Sequence, residues 1–217
     1  MSIVVRTLAE QVFEVIRERI VTGRLAYDIA IRQDALAAEL GVSKIPLREA
    51  LARLEQEGLL ISQPNRGYFV RPMTADEADE IFVLRLDIEP RAAGLAAAMA
   101  DDADRAAVQR AFDDLDAAHC GRPDLTVRSR TFDMALIRAV ARPLTTQLVE
   151  RLQVMAERYV LAHHESAGRR ERAHRERRDL IEAWLARDTA ATERLLATHI
   201  DGARADLNQQ LRGAAPR

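Results

Sequence analysis

The chain has 217 residues, 48% hydrophobic and 30% charged, with a formal net charge of −2 and one cysteine. That length allows two small globular domains, and a lone Cys120 rules out an internal disulfide and fits a reducing cytoplasm. Only 4% of residues are aromatic, no apolar run is long enough to span a bilayer, and the opening segment does not read as a signal peptide. The charge balance does not exclude nucleic acid, because attraction to phosphate depends on local basic patches. Lys44 is the only lysine; every other basic chain is arginine.

In chain order, residues 7–22 place Leu8, Val12, Val15, Ile16, Arg19 and Ile20 at mostly 3–4 spacing. They predict an amphipathic helix stopped by Gly23. Residues 34–40 predict a second helix, ended by Gly41 in a left-handed turn. Ser43 is a natural N-cap for a third helix, and Pro46 falls in its first turn, where a missing N–H costs nothing. Gly58 closes that helix. Leu59–Val70 predicts a hairpin turning at 63–67, followed by an Arg71-Pro72-Met73 linker. Helical patterning then runs over about 75–99, 103–118, 124–141, 144–164, 170–187 and 189–211. The breaks fall at Asp101-Asp102, Gly121-Arg122-Pro123, Pro143, Gly168 and Arg187-Asp188. The fold expected is mainly α, with a winged helix-turn-helix at 1–72 and an all-helical bundle at 73–217.

The run DALAAELGVSKIPLREALARLEQEG carries the chemistry of the first domain. Ala37, Gly41, Val42, Leu47, Ala50 and Leu51 supply the small residue, turn and apolar lock of a helix-turn-helix, with Leu36, Leu40 and Leu54 completing the core. The third helix then offers Ser43, Lys44, Arg48 and Arg53 outward, its N-terminal end suited to the major groove. Arg48 can donate two parallel hydrogen bonds to a guanine edge. Ser43 and Lys44 suit phosphate at a helix N-terminus, and Asn65, Arg66 and Gly67 suit a wing in the minor groove. Short matches of this kind also arise by chance, in which case Arg48-Glu49 is only a solvated pair.

The stretch from Gly23 to Val70, above all ELGVSKIPLREALARLEQEGLL, resembles the winged helix-turn-helix of the GntR family of bacterial transcription regulators. The resemblance implies that Arg32, Ser43, Lys44, Pro46, Arg48, Arg66 and Gly67 face DNA. One departure is Tyr27-Asp28, where the family usually has Pro-Gly. EIFVLRLDIEPRAAGLAAAMA and AHRERRDLIEAWLARDTAATERLLATHI resemble the opening and closing helices of the FCD effector domain of the FadR-like subfamily. This implies a homodimer that binds an inverted-repeat DNA operator, represses, and responds to a small carboxylate effector.

Many such domains hold a divalent metal such as Zn²⁺ through one Asp and three His. Here Ser129 stands at the usual Asp and Asp133 at the usual first His, while His174 and His199 match. Three readings stay open. Asp133, His174 and His199 form a two-His-one-carboxylate metal site; or Arg85, Ser129, Asp133, His174 and His199 bind the effector without metal; or both imidazoles are ordinary satisfied polar groups. Arg85 either pairs with a ligand carboxylate or with Glu89 one turn on. The run GRRERAHRERR reads as a solvated, salt-bridged helix face, Trp184 as core, and His163 and His164 as rim residues. No GxSxG, P-loop, dinucleotide fingerprint or HExxH is present, so no enzyme activity is expected. A DNA binder that ignores ligands is the remaining alternative.

Overall fold

The computed structural model describes residues 7–25, 29–118, 125–162 and 167–213. Tyr27-Asp28, Cys120, the 121–123 break, His163 and His164 lie outside them. The chain divides into two compact units, one ending at Met73 and one beginning at Thr74.

In the first unit, α1 (Leu8–Val21) opens on a capping box the sequence reading did not include. Thr7 Oγ1 accepts from Glu10 N at 3.2 Å, and Glu10 Oε2 accepts from Thr7 N at 2.8 Å, which satisfies two otherwise orphaned donors. Its inward stripe is Val12, Phe13, Ile16 and Ile20. Phe13 takes the place expected of Leu8 and Val15, which are exposed in this chain. α2 (Gln33–Leu40) ends at Gly41 with φ 65°, and α3 (Lys44–Gln56) follows from an extended Ser43. Ser43 occupies the N-cap position, but its hydroxyl makes no capping hydrogen bond. Leu36, Ala37, Leu47, Ala50, Leu51 and Leu54 are buried between these helices and α1. Arg53 is exposed, as expected, but packs over α1. Its guanidinium lies 4.1 Å from the centroid of the Phe13 ring, with Glu57 at 3.5 Å.

The hairpin pairs β1 (Leu60–Gln63) antiparallel with β2 (Gly67–Val70), in register Leu60↔Val70 to Gln63↔Gly67. Asn65 and Gly67 take positive φ of 62° and 87° in the turn, conformations that Asn and Gly accept most readily. The segment before α2 adds to the free edge of β2: Ala30 bridges Phe69, and Ile31 N donates to Tyr68 O at 2.8 Å. This contact between distant residues fixes where Arg32 lies relative to the wing.

The described residues of the second unit form helices joined by short turns: α4 (Ala75–Met99), α5 (Asp102–Ala118), α6 (Leu125–Arg138), α7 (Pro143–Ala162), α8 (Ala167–Leu185) and α9 (Thr189–Gly213). Gly168, expected as a break, lies inside the first turn of α8. The long α4 packs chiefly on α9 and α7, while α5 packs on α6 and α8 on α9. Ala92, Ala93, Ala96 and Ala97 are buried, and at Gly94 an added Cβ would lie 2.7 Å from Glu193 and 3.0 Å from Thr189. Small residues thus permit the close α4–α9 approach. Reciprocal Asp101–Asp104 side-chain-to-backbone bonds (2.8 and 3.1 Å) cap α5. Asp188 accepts from Ala191 N at 2.9 Å before α9. Trp184 is fully buried and donates from Nε1 to Leu136 O at 2.9 Å. Tyr159 on α7 donates to Glu77 Oε2 at 2.6 Å and accepts from Thr74 N at 3.3 Å, binding the first turn of α4. Burial, then the bond to Glu77, holds its pKa well above the usual phenol value. Among the described residues no helix is long and apolar enough to cross a membrane.

Candidate functional site

Two sites emerge, one in each unit. In the first, Arg32, Asp34, Lys44, Arg48, Arg66 and Gly67 line one open hollow between the start of α2, the tip of α3 and the wing turn. Five of the seven residues expected to face DNA therefore meet there. Ser43 is exposed beside them and Pro46 half-buried, both on the same α3 tip but outside the lining. Three guanidiniums and one ammonium around an open concavity suit a phosphate backbone. Arg48 is exposed on the first turns of α3 and has the paired donors that a base edge accepts. Arg66 leans over the Phe69 ring, 5.3 Å from its centroid.

Two residues of this surface were not singled out by sequence. Asp34 Oδ1 lies 2.6 Å from Lys44 Nζ, with both side chains mostly exposed at 79% and 64%. An exposed pair of this kind contributes little stability, but it holds the lysine's charge in place. Ile45 is 70% exposed on the α3 tip, an apolar group available to a thymine methyl. Both lie next to the basic positions in sequence, but neither carries the positive charge by which a phosphate contact is recognised.

In the second unit, a cavity of about 110 Å³ lies among α4, α5, α6, α7, α8 and α9. Arg85, Ser129, Asp133, His174 and His199 all line it. Arg85 is not free to act alone. Its Nε and Nη2 donate to Glu89 at 2.7 and 3.2 Å, and Gln153 Nε2 donates to the same carboxylate at 3.2 Å. Burial works against the charge of Arg85, but Glu89, and to a smaller degree Asp133, raise its pKa overall. Of the two expectations for Arg85, the pair with Glu89 one turn on is the one the structure forms, and the same side chain also lines the cavity.

The imidazoles are engaged differently. His199 Nδ1 is 2.6 Å from Glu176 Oε2. Burial, then the charge of Arg177, lowers its pKa, with Glu176 and Asp133 opposing; the ring is neutral near pH 7 and donates from Nδ1. His174 Nε2 is 2.9 Å from Asp116 Oδ1 and 3.1 Å from Arg178 Nη2, and the ring stacks on Phe112. Asp133 Oδ1 lies 3.6 Å from Arg177 Nε. The Nδ1 bond of His199 is one that a metal-bound imidazole also makes. Yet no three His, Cys, Asp or Glu side chains among the described residues converge on a point that could hold an ion. The expected trio Asp133, His174 and His199 is brought to one cavity but not to one centre, so the donor set does not fit the metal.

Arginine dominates instead. Arg85, Arg130, Arg169, Arg170, Arg172 and Arg177 line the cavity against three carboxylates, Asp133, Glu157 and Glu176. Four of these arginines belong to the run expected to be a solvated face. That face is salt-bridged, with Arg169 and Arg172 both reaching Asp206, but its inner stripe at 169, 172–173 and 176–177 turns into the bundle. The 3–4 spacing was visible; the density of charge concealed it.

A cationic winged helix-turn-helix joined to a helical unit with a charged central cavity defines a DNA-binding transcription regulator with an effector domain. Residues 8–70 match the model of bacterial regulatory proteins of the gntR family, and residues 80–202 match the FCD domain. The chain belongs to the GntR family and carries an FCD effector-binding domain. It is 30% identical over 208 residues to the uncharacterized HTH-type transcriptional regulator BphR of Paraburkholderia xenovorans (strain LB400), covering 91% of this chain and 84% of that one. It is 29% identical over 195 residues to the transcriptional repressor GlaR of Escherichia coli (strain K12), covering 85% and 89%. Of YdhC from Bacillus subtilis (strain 168), a further uncharacterized regulator, it spans about half the length, 53% at 29% identity. The structure of E. coli McbR/YncC superposes with a TM-score of 0.79 at 26% identity, covering 95% of this chain and 99% of that one.

Proposed function

We propose that the protein is a repressor that binds an inverted-repeat operator as a homodimer and is released when a small carboxylate enters the helical cavity. The observation that carries the DNA half is the gathering of Arg32, Lys44, Arg48 and Arg66 around one exposed hollow. Two copies presenting α3 about one DNA turn apart read a two-fold site. The excess of arginine around the cavity supports an anionic effector, and the similarity to the transcriptional repressor GlaR supports repression. Effector binding acts by favouring one of two arrangements of the dimer.

The test begins with an operator selected from random duplexes and a titration followed by fluorescence anisotropy. Arg48→Ala is expected to weaken binding by about 1–3 kcal/mol and to relax the preference at one base position. Lys44→Ala is expected to weaken binding to all sequences alike and to reduce the salt dependence by about one ion. Full operator affinity and selectivity in the double variant would reject this reading.

A further inference from the structure

The reading of α3 as the helix that enters the major groove leaves open what it reads there besides a guanine. We propose that Ile45 is a specificity-determining residue of the operator interaction: its side chain packs on the 5-methyl group of a thymine within two base pairs of the guanine bound by Arg48. The proposal rests on that reading of α3, and it requires thymine at one fixed place in each operator half-site.

Three observations lead there. First, Ile45 stands at the middle of the face that α3 turns away from its own core. The buried stripe of this helix is Leu47, Ala50, Leu51 and Leu54. At about 100° per residue, that stripe is centred roughly 190° round the axis from Ile45. The neighbours of Ile45 on the outward face, three and four residues on, are Arg48 and Glu49, both exposed. Whatever surface Arg48 meets, Ile45 is presented to it as well.

Second, Ile45 is left open to solvent. At 70% exposure it is the most exposed large apolar side chain among the described residues of the first unit. Single apolar side chains at a surface are common and call for no partner by themselves. What sets this one apart is its position as the second residue of α3, because the N-terminal residues of a recognition helix are those that touch base edges.

Third, the groove offers an alkyl group one partner. The major-groove edges of the bases present hydrogen-bond donors and acceptors, and the 5-methyl of thymine is the apolar group among them. A branched alkyl chain against another edge strips water from a polar atom and returns no hydrogen bond. Ile45 thus favours thymine and penalises its replacements. Three residues of helix rise by about 4.5 Å, close to the roughly 3.4 Å of one base step, which keeps the thymine within two base pairs of the guanine.

The experiment selects operators from random duplexes with full-length wild type, Ile45→Ala and Arg48→Ala in parallel, then measures affinities by fluorescence anisotropy. Wild type is expected to fix a guanine that the Arg48→Ala pool loses, and a thymine within two base pairs of it. The Ile45→Ala pool is expected to keep the guanine and accept any base at the thymine. Replacing that thymine by deoxyuridine removes only the methyl group. This is expected to weaken wild-type binding about three- to fivefold, the worth of one buried methyl, and Ile45→Ala binding by less than about twofold. Ile45→Val should retain most of the wild-type penalty. Because the side chain is exposed, Ile45→Ala should keep the wild-type unfolding midpoint, oligomeric state and affinity for random duplex. A wild-type pool without such a thymine, equal deoxyuridine penalties in wild type and Ile45→Ala, or a changed oligomeric state or lost affinity for random duplex in Ile45→Ala overturns the proposal. A guanine tied to Arg48 without the thymine removes only the role of Ile45. A pool with no preferred sequence removes the reading of α3 itself.

Discussion

His199 shows what burial does to a single titratable group in this cavity. Its ring is neutral in the folded chain because burial and the nearby Arg177 lower its pKa, whereas an unfolded histidine takes a proton near 6.5. Below that pH the unfolded state binds more protons, so the contribution of His199 to stability is complete above about pH 6.5. It is lost as pH falls through the folded value. His199→Gln is expected to flatten the decline of the unfolding midpoint below pH 6.5; wild type and variant declining in parallel would contradict this. Single residues were also where sequence reading was least complete. The seven positions expected to face DNA came from the family resemblance of one local motif, and five of them line one hollow. Arg130, Gln153 and Glu157 went unnoticed because nothing local marks a residue as facing a cavity shared by six helices.

At the level of elements, the helices were legible because their amphipathic period and their stops are local. Asp101, Pro143 and Asp188 mark ends that the backbone indeed respects. The edge contact of Ala30 and Ile31 with β2 was not legible, since it joins residues separated by the whole of α2 and α3. Nor was the closeness of α4 to α9, which rests on Gly94 and the alanines around it. Gly94→Leu would drive a side chain into Glu193 and Thr189. It is expected to destabilise the helical unit by about 1–3 kcal/mol or more, as overpacking does, measured by urea denaturation. Gly94→Ala should cost less, because the end of Glu193 can swing aside. Equal stability of the leucine variant and wild type would show that the two helices part easily.

Across the whole molecule, the two compact units have separate cores, one built on Leu47, Leu51 and Leu54, the other on Phe82, Phe132, Tyr159 and Trp184. Leu51→Ala removes a fully buried side chain and is expected to cost the first unit about 2–5 kcal/mol. It should leave the ligand-dependent part of the melt unchanged; calorimetry that shows both parts falling together would mean that the units unfold as one. A last consequence lies in Tyr159. The same α7 that supplies Gln153 and Glu157 to the cavity wall also grips Thr74 and Glu77 through its phenol, and Thr74 is the residue at which the chain passes out of one unit into the other. One helix thus forms part of the cavity wall and, through a single phenol, clasps the residue with which the second unit begins.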